Sequence, residues 1–193
     1  MDWLKFCTEH RAVADEVTGR LRGAVEEAAA AMAASIAKGG KVLACGNGGS
    51  AADAQHFAAE LVNRFQLERR PYAAVALTVD SSVLTSIAND YAYEQVFSKQ
   101  VEALARPGDV LLAISTSGNA ANVCRAAEAA RAAGALVVAL TGKDGGRLAP
   151  LADILLCVSS SSTTARIQEG HAMIVHALCG IVEETLAAGA PRA

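Results

Sequence analysis

The sequence has few of the features that mark a membrane-spanning or nucleic-acid-binding protein. Its longest apolar runs, such as GALVVAL, are far shorter than the ~20 residues that cross a bilayer, and no charged segment followed by an apolar one begins the chain. The net charge is −3, and lysine and arginine form no run or stripe along the 193 residues. We therefore expect neither a membrane nor a nucleic acid as partner.

Cysteine and aromatic residues are also too few or too scattered to organise the fold. The five cysteines, an odd number, are Cys7, Cys45, Cys124, Cys157 and Cys179. Their wide spacing within mostly apolar segments favours buried thiols in a reducing compartment over a disulfide framework or a C-x-x-C zinc site. We therefore expect the protein in the cytoplasm. Aromatic residues make up only 4%, and the alanine-rich helix faces are compatible with close packing against another subunit.

What the chain does contain is an alternation of short apolar runs and longer alanine-rich segments of helical period. This pattern is typical of βαβ units and predicts an α/β fold with a parallel sheet, in one domain over residues 1–193. Residues 1–38 predict one or two helices, and residues 163–188 predict a long closing helix. The five predicted strands, apolar enough to be covered on both faces, are VLACG (42–46), YAAVAL (72–77), DVLLAIS (109–115), LVVALT (136–141) and DILLCVS (153–159).

A glycine-rich turn, CGNGGS, follows the first predicted strand and precedes an alanine-rich helix. Because parallel sheets bind ligands at the carboxyl ends of their strands, the turn is well placed for a ligand. Written as Gly46-x-Gly48-x-x-Ala51 it approaches a dinucleotide fingerprint, but the second strand ends without the acidic residue that would hold a ribose. No Gly-x-x-x-x-Gly-Lys-Ser/Thr motif occurs either, so we expect no nucleotide cofactor. A tight turn without a ligand is the simpler alternative.

A second loop, STSGN (115–119), follows the third predicted strand and also precedes a helix; it is called here the hydroxyl loop. Ser115, Thr116 and Ser117 supply three hydroxyl groups, and the start of the next helix supplies free amides at the positive end of its dipole. Together these groups can hold a monoester phosphate without lysine or arginine. The alternative is simple N-capping, which needs only one of the three side chains.

Titratable side chains lie on the helix behind the first turn and on the closing helix. His56 and Glu60 are four residues apart and project from one helix face, where they form either a surface ion pair or part of a substrate or metal site. The closing helix carries an apolar stripe at Ile167, Ile174, Leu178 and Ile181. His171 lies near this stripe, which predicts a packed core or interface histidine. Gln168 and His176 point away from it.

Five segments together resemble one known family: GNGGSAADAQHFAAEL, ANDYAYEQVFSKQ, LLAISTSGNAANV, LTGKDGG and ARIQEGHAMIVH. In this order and spacing they are similar to the phosphoheptose isomerases of the sugar isomerase (SIS) domain family, over nearly the whole chain. The resemblance implies a doubly wound, three-layer αβα fold with extra N-terminal helices and a homotetramer with active sites between subunits. It also implies conversion of sedoheptulose 7-phosphate to D-glycero-D-manno-heptose 7-phosphate, the first step toward activated heptose for surface glycans such as lipopolysaccharide.

The family's site residues match positions of this chain one by one. The resemblance implies catalysis by Glu60 and His176. It implies zinc binding by His56, Glu60, Gln168 and His176, a ligand set that suits zinc. It implies substrate contacts from Asn47, Gly48, Gly49, Ser50, Glu60, Asn89, Asp90, Ser115, Thr116, Ser117, Ala120 and Gln168, with the phosphate at residues 115–117. Ala120 departs from the serine of many relatives, and the lost hydroxyl contact affects binding strength more than chemistry.

An aldose–ketose shift needs two proton-transfer groups, because one proton moves between adjacent carbons and another between their oxygens, through an enediol. Glu60 is expected to move the carbon proton and His176 the oxygen protons. If zinc binds both groups directly they cannot act freely as bases, and the metal then stabilises enediolate charge or organises the site.

The rival hypothesis is a non-catalytic SIS-domain regulator that binds the replication initiator protein. Such a regulator lacks the acid and the imidazole, whereas this chain has both Glu60 and His176. A regulator that senses a sugar phosphate would keep the hydroxyl loop but need neither group. The acid–base pair therefore favours the enzyme.

Overall fold

The computed structural model describes residues 2–189, so Met1 and residues 190–193 of the predicted domain lie outside the described part. The α-helices are α1 (Trp3–Thr18), α2 (Arg22–Ala37), α3 (Gly49–Val62), α4 (Ser81–Asp90), α5 (Ser98–Leu104), α6 (Ala121–Ala132) and α7 (Thr164–Ala188). The strands are β1 (Val42–Cys45), β2 (Ala74–Ala76), β3 (Val110–Ser115), β4 (Leu136–Gly142) and β5 (Ile154–Val158). Short 3-10 helices span Tyr93–Gln95 and Gly146–Leu151.

The five strands form one parallel sheet in the order β2-β1-β3-β4-β5. This confirms the predicted α/β fold. The chain turns from β1 toward one edge to make β2 and then returns to the other side of β1 to make β3. The carboxyl ends of β1 and β3 therefore form the switch point at which open parallel sheets bind ligands.

The strands differ from the predicted ones at their ends and at the sheet edges. β2 has three residues where six were predicted, because Pro71 precedes it and the amide of Tyr72 donates to the carbonyl of Leu61 instead of to a strand (3.0 Å). The expectation that all five strands are covered on both faces is wrong for the edge strands. Val75 of β2 and Leu155 of β5, on the two edge strands of the sheet, are 40% and 36% exposed in the described part of the chain.

Helices cover the two faces of the sheet and complete three layers. On one face α1, α2, α3 and α7 pack around fully buried Met32, Phe57 and Ile174. On the other face α5 and α6 pack around Phe97 and Leu148. Alanine dominates the buried side of α2, and its small side chain combines high helix propensity with close approach to α7.

The closing helix α7 is long and apolar enough, by length and composition alone, to cross a membrane. Its residues Ile167, Ile174 and Leu178 are fully buried, and Ile181 is partly buried against the same core, as the predicted stripe requires. The helix contacts α1, α2, α3 and the sheet. Its apolar character is therefore accounted for by packing inside the fold.

Candidate active site

The turn after β1 and the loop after β3 meet through a pair of amide side chains. Asn47 Nδ2 donates to Asn122 Oδ1 (2.9 Å), and Asn122 Nδ2 donates back to Asn47 Oδ1 (2.8 Å). The hydroxyl of Tyr93 also donates to Asn47 Oδ1 (3.1 Å). Neither Asn122 nor Tyr93 was among the site residues predicted from the sequence. Asn122 lies within the segment LLAISTSGNAANV, in the first turn of a helix that begins at the carboxyl ends of the strands, called here the ligand edge. A polar residue at that position was the sequence signal that could have identified it.

The glycine turn leads directly into α3 and lies against α7. Gly48 has a positive φ of 55° and precedes the first residue of the helix, Gly49. A Cβ atom at position 49 would collide with the carboxamide of Gln168, so this side chain would have to move for any residue larger than glycine. Ser50 is buried in the first turn of α3, and the backbone of Gly46 packs closely on it. The predicted substrate residues of the turn thus lie next to Gln168.

The hydroxyl loop does not serve to cap the following helix. The residue before α6 is Ala120, and no side chain makes a capping hydrogen bond there. Ser117 Oγ instead accepts the amide of Asn119 (3.2 Å) inside the loop. Ser115 is buried, and Thr116 and Ser117 are half-buried. The N-capping alternative is therefore wrong for α6, and the amides that begin this helix remain free of side-chain acceptors.

The segment LTGKDGG supports the hydroxyl loop from behind. Gly118 has a φ of 64°, and a Cβ atom there would collide with the carbonyl of Gly145. The amide of Leu148 donates to the carbonyl of Gly118 (2.9 Å). Arg147 donates from its backbone amide to Asn119 Oδ1 (3.1 Å) and from its guanidinium to the carbonyl of Asn119 (2.7 Å). These contacts fix the backbone on which the three hydroxyl groups are arranged.

His56, Glu60 and His176 come together and are called here the histidine–glutamate cluster. His56 Nε2 lies 3.1 Å from Glu60 Oε1 and 3.3 Å from His176 Nε2. The first pair confirms that both residues share one face of α3, and α7 adds the third side chain. The ring of Phe65 stacks on that of His176, with 5.7 Å between centroids. The cluster is therefore more than a surface ion pair.

The donor atoms of the cluster fit a zinc ion. One ligand atom from each of the three residues lies within 4.8 Å of the other two. Tetrahedral ligands at zinc–nitrogen distances of about 2.05 Å would be about 3.3 Å apart, close to the spacings of 3.1 and 3.3 Å found here. The predicted fourth ligand, Gln168, has its carboxamide against Gly49, the first residue of α3 and about two helical turns before His56.

Two further predicted site residues lie apart from these contacts. Asn89 and Asp90 are the last residues of α4, both are exposed, and Asn89 Nδ2 donates to Asp90 Oδ1 (2.8 Å). Among the described residues they make no hydrogen bond to the turn, the hydroxyl loop or the cluster. The nearby link to the site is Tyr93, three residues on, which reaches Asn47.

The fold and the site are those of a known class of protein domain. Residues 5–142, more than half of the chain, match the sequence model of the SIS domain family. Strands β1 to β4, the glycine turn after β1 and the hydroxyl loop lie within that range, whereas β5 and α7 lie beyond it. The chain belongs to the SIS domain family.

More specific similarities single out one group within it. The chain is 59% identical over 165 residues to the phosphoheptose isomerase of Thiobacillus denitrificans, covering 84% of this chain and 83% of that one. It is 62% identical over 162 residues to that of Aromatoleum aromaticum, with coverages of 82% and 79%. Two solved phosphoheptose isomerases superpose closely. The Neisseria gonorrhoeae structure gives a TM-score of 0.87 at 49% identity, covering 94% and 96%, and the Francisella tularensis structure 0.90 at 41%, covering 95% and 100%.

Proposed function

We propose that the chain is an aldose–ketose isomerase that converts sedoheptulose 7-phosphate to D-glycero-D-manno-heptose 7-phosphate, the first step toward activated heptose. The observation that carries this proposal is the histidine–glutamate cluster between α3 and α7, in a chain 59% and 62% identical to two phosphoheptose isomerases. No second function is supported by a specific observation. A non-catalytic regulator would not explain why Glu60 and His176 are brought together in one cluster.

Two residues of the cluster have the chemistry for the two proton transfers. Glu60 is a partly exposed carboxylate at the end of α3, where it can take the proton from the substrate carbon and return it to the neighbouring carbon. His176, whose Nε2 lies beside His56 in the same cluster, can donate a proton to the carbonyl oxygen and then accept the proton of the neighbouring hydroxyl oxygen, which restores its own protonation state. A positioned acid or base accelerates such a step by roughly two to four orders of magnitude.

The hydroxyl loop is suited to hold the phosphate of the substrate. Ser117 accepts a backbone amide, which leaves its O–H free to donate to a phosphate oxygen. The uncapped start of α6 adds amide donors and the positive end of the helix dipole. Holding the phosphate here and the reacting carbons at the cluster would keep the sugar extended along the switch point between β1 and β3.

Zinc is part of the proposal, with His56, Glu60 and His176 as ligands and Gln168 as the predicted fourth. The proton transfers described above apply when Glu60 and His176 are not bound directly to the ion, because a metal-bound carboxylate or imidazole cannot act freely as a base. When bound, zinc would stabilise negative charge on the enediolate or hold the cluster in place. His56 has no proton to move in the scheme above, and its place between Glu60 and His176 accords with a ligand role.

The proposed assembly is a homotetramer in the cytoplasm. Two features support association: α4 has no buried residue along its ten positions, and Trp3 and Leu4 of α1 are 65% and 78% exposed. A partner subunit covering these surfaces would remove apolar area from water. We expect the reaction to supply heptose for surface glycans such as lipopolysaccharide.

The test is incubation of the purified protein with sedoheptulose 7-phosphate while the aldose product is monitored. We expect product formation together with incorporation of solvent deuterium at the reacting carbon. A folded protein that binds the ketose phosphate without forming the aldose would contradict the proposal and favour a regulator.

A further inference from the structure

Glu183 is a buried carboxylate on α7 whose two oxygens both have two partners. Its side chain is 1% exposed. Oε1 accepts the amide of Phe65 (3.0 Å) and Nε of Arg69 (2.9 Å), and Oε2 accepts the amides of Gln66 (2.7 Å) and Leu67 (2.8 Å). Burial opposes ionisation of Glu183, but these donors outweigh it and hold its pKa below the usual range. The carboxylate therefore orders the backbone of residues 65–67.

Arg69 joins this carboxylate to the end of the helix that carries the catalytic glutamate. Its side chain is 6% exposed. One guanidinium nitrogen donates to the carbonyl of Glu60 (2.8 Å), and another donates to the carbonyls of Leu61 (2.8 Å) and Asn63 (3.1 Å). These are carbonyls that the end of α3 leaves without a helical partner, and a cation there also meets the negative end of the helix dipole. Arg69 thus ties α3 to Glu183 on α7.

The ordered segment also contacts the second catalytic residue. Phe65 follows α3, and its ring stacks on His176. A Cβ atom at Gly180 would lie 3.4 Å from Phe65 Cε1, so the glycine lets the ring lie close to α7. Glu183 is seven residues after His176 and therefore on the same face of the helix, about 10 Å further along. The buried ion pair is thus connected to Glu60 through Arg69 and to His176 through Phe65.

We infer that Glu183 and Arg69 are positioning residues, whose ion pair sets the separation of Glu60 on α3 from His176 on α7. The inference rests on the proposed function, since it assigns these residues a role in that reaction. Among the described residues, neither side chain makes a hydrogen bond to the side chains of His56, Glu60 or His176. Their effect passes through the carbonyl of Glu60 and through the ring of Phe65.

A purely structural role would not call for these particular partners. Buried ion pairs contribute little to stability compared with apolar side chains of similar size, because both charges lose their hydration. The hydrogen bonds of this pair go to the carbonyl end of α3, which carries Glu60, and to the segment 65–67, whose Phe65 stacks on His176. The neighbouring pair Arg64–Glu68 has the same charges but is 51% and 92% exposed with a 3.6 Å separation. It serves as the internal comparison.

The experiment compares Glu183→Gln with Glu68→Gln, the same chemical change on an exposed side chain close by. Two rates are measured for each protein: isomerisation of sedoheptulose 7-phosphate, and exchange of the substrate's carbon proton with solvent. The first needs Glu60 and His176 in register, and the second needs Glu60 alone. We expect Glu183→Gln to lower kcat at least about tenfold with less than about a twofold change in KM, and to raise the ratio of exchange to isomerisation. Glu68→Gln should match the parent in both.

Partial unfolding would lower both rates of Glu183→Gln equally, so an unchanged ratio overturns the inference, as does full activity. If the Glu183→Gln protein does not fold, Arg69→Lys provides the test instead. Lysine keeps the charge beside Glu183 but cannot bridge three carbonyls. Arg69→Lys should therefore show a smaller change of the same ratio, and an unchanged ratio in this folded variant also overturns the inference.

Failure of the proposed function would be recognised separately, because the parent protein itself would then not isomerise the sugar. In that case competition for zinc with a coloured chelator decides the inference. We expect Glu183→Gln to bind zinc at least about tenfold more weakly than the parent and Glu68→Gln to bind it equally. The same affinity in all three proteins, including none in any, would overturn it.

Discussion

At the residue scale, the proposed reaction depends most directly on the carboxylate of Glu60. Glu60→Gln keeps the size, helix propensity and hydrogen-bonding capacity of the side chain but removes the base. We expect turnover to fall by at least about two orders of magnitude with the melting temperature nearly unchanged, and carbon-proton exchange to vanish with it. His176→Asn should suppress isomerisation while leaving part of that exchange. A Glu60→Gln protein that turns over at the parent rate would remove Glu60 from the mechanism.

The hydroxyl loop gives a second prediction for a single side chain. Ser117→Ala removes a donor to the proposed phosphate and the acceptor for the amide of Asn119, on a loop that does not cap α6. We expect sugar-phosphate binding to weaken by about 1–2 kcal/mol, the usual cost of an unmet hydrogen bond. Calorimetric titration measures this difference, with unfolding by urea as the control for an intact fold. Equal affinities would show that the loop binds no phosphate.

His171 predicts how stability depends on pH. Burial lowers its pKa to about 4, although the bond from Nε2 to the carbonyl of Thr141 (2.9 Å) opposes this. The unfolded chain binds the proton near pH 6.5, so between these values it holds more protons than the folded protein. Stability therefore falls as pH falls, by about 2 kcal/mol from about pH 7.5 to about pH 5.

The variant His171→Gln should lose most of this pH dependence in urea unfolding, and His10→Gln, at an exposed histidine, should keep it. Carboxylates with lowered pKa values, such as Glu16 at about 2, lose their contribution only at lower pH and do not disturb this window. A parent protein equally stable at both pH values would mean that His171 is already protonated in the fold.

The positions of single residues could be predicted from the sequence only where they follow from helical spacing between neighbouring residues. The helical spacing placed His171 in the core and His56 with Glu60 on one face, and both expectations are confirmed. Asn122 and Glu183 could not be found in this way. Their partners are 75 and 118 residues away in sequence, and nothing in the local pattern says which segments the fold brings together.

At the scale of elements, the site lies along two neighbouring helices, α3 and α7, that run in the same direction. Gly49 lies against Gln168 and His56 against His176, and these pairs are separated by seven residues on α3 and eight on α7. Such spacings correspond to roughly 10–12 Å along each axis. Periodicity predicted both helices, and it gave nearly correct ends for the closing helix, predicted over 163–188 and found over Thr164–Ala188. It could not predict that they are neighbours, so the grouping of Glu60 and His176 came from the family resemblance.

The connection from β3 to α6 yields a prediction about backbone geometry. Gly118→Ala puts a side chain at a positive φ and also against the carbonyl of Gly145, so both the backbone and the supporting turn must move. We expect a loss of about 3 kcal/mol or more in the free energy of unfolding, together with loss of sugar-phosphate binding. Gly39→Ala is the control, because Gly39 has a φ of 85° but open space around its Cβ position. It should cost about 1 kcal/mol. Equal losses would mean that the contact with Gly145 does not matter.

At the scale of the whole molecule, the alternation of apolar and alanine-rich segments was enough to predict five parallel strands and helical layers. It did not contain the strand order, because β1, β3 and β4 have nearly the same apolar pattern and any of them could have been central. For the same reason the exposed faces of β2 and β5 were not foreseen. The ligand edge follows from the order, since only the switch between β1 and β3 brings the glycine turn to the hydroxyl loop.

The zinc proposal predicts a change in the stability of the whole molecule. His56 and Glu60 lie on α3 and His176 on α7, so an ion held by all three would link two helices that are far apart in the unfolded chain. Binding to the folded state alone stabilises it by about 2.7 kcal/mol when free zinc is about 100 times its Kd. Zinc added to chelator-treated protein should therefore raise the melting temperature. His56→Ala should lose most of this rise, whereas His10→Gln, outside the cluster, should keep it. The proposal fails if the parent shows no rise, or if His56→Ala shows the same one, because the metal would then bind elsewhere or not at all.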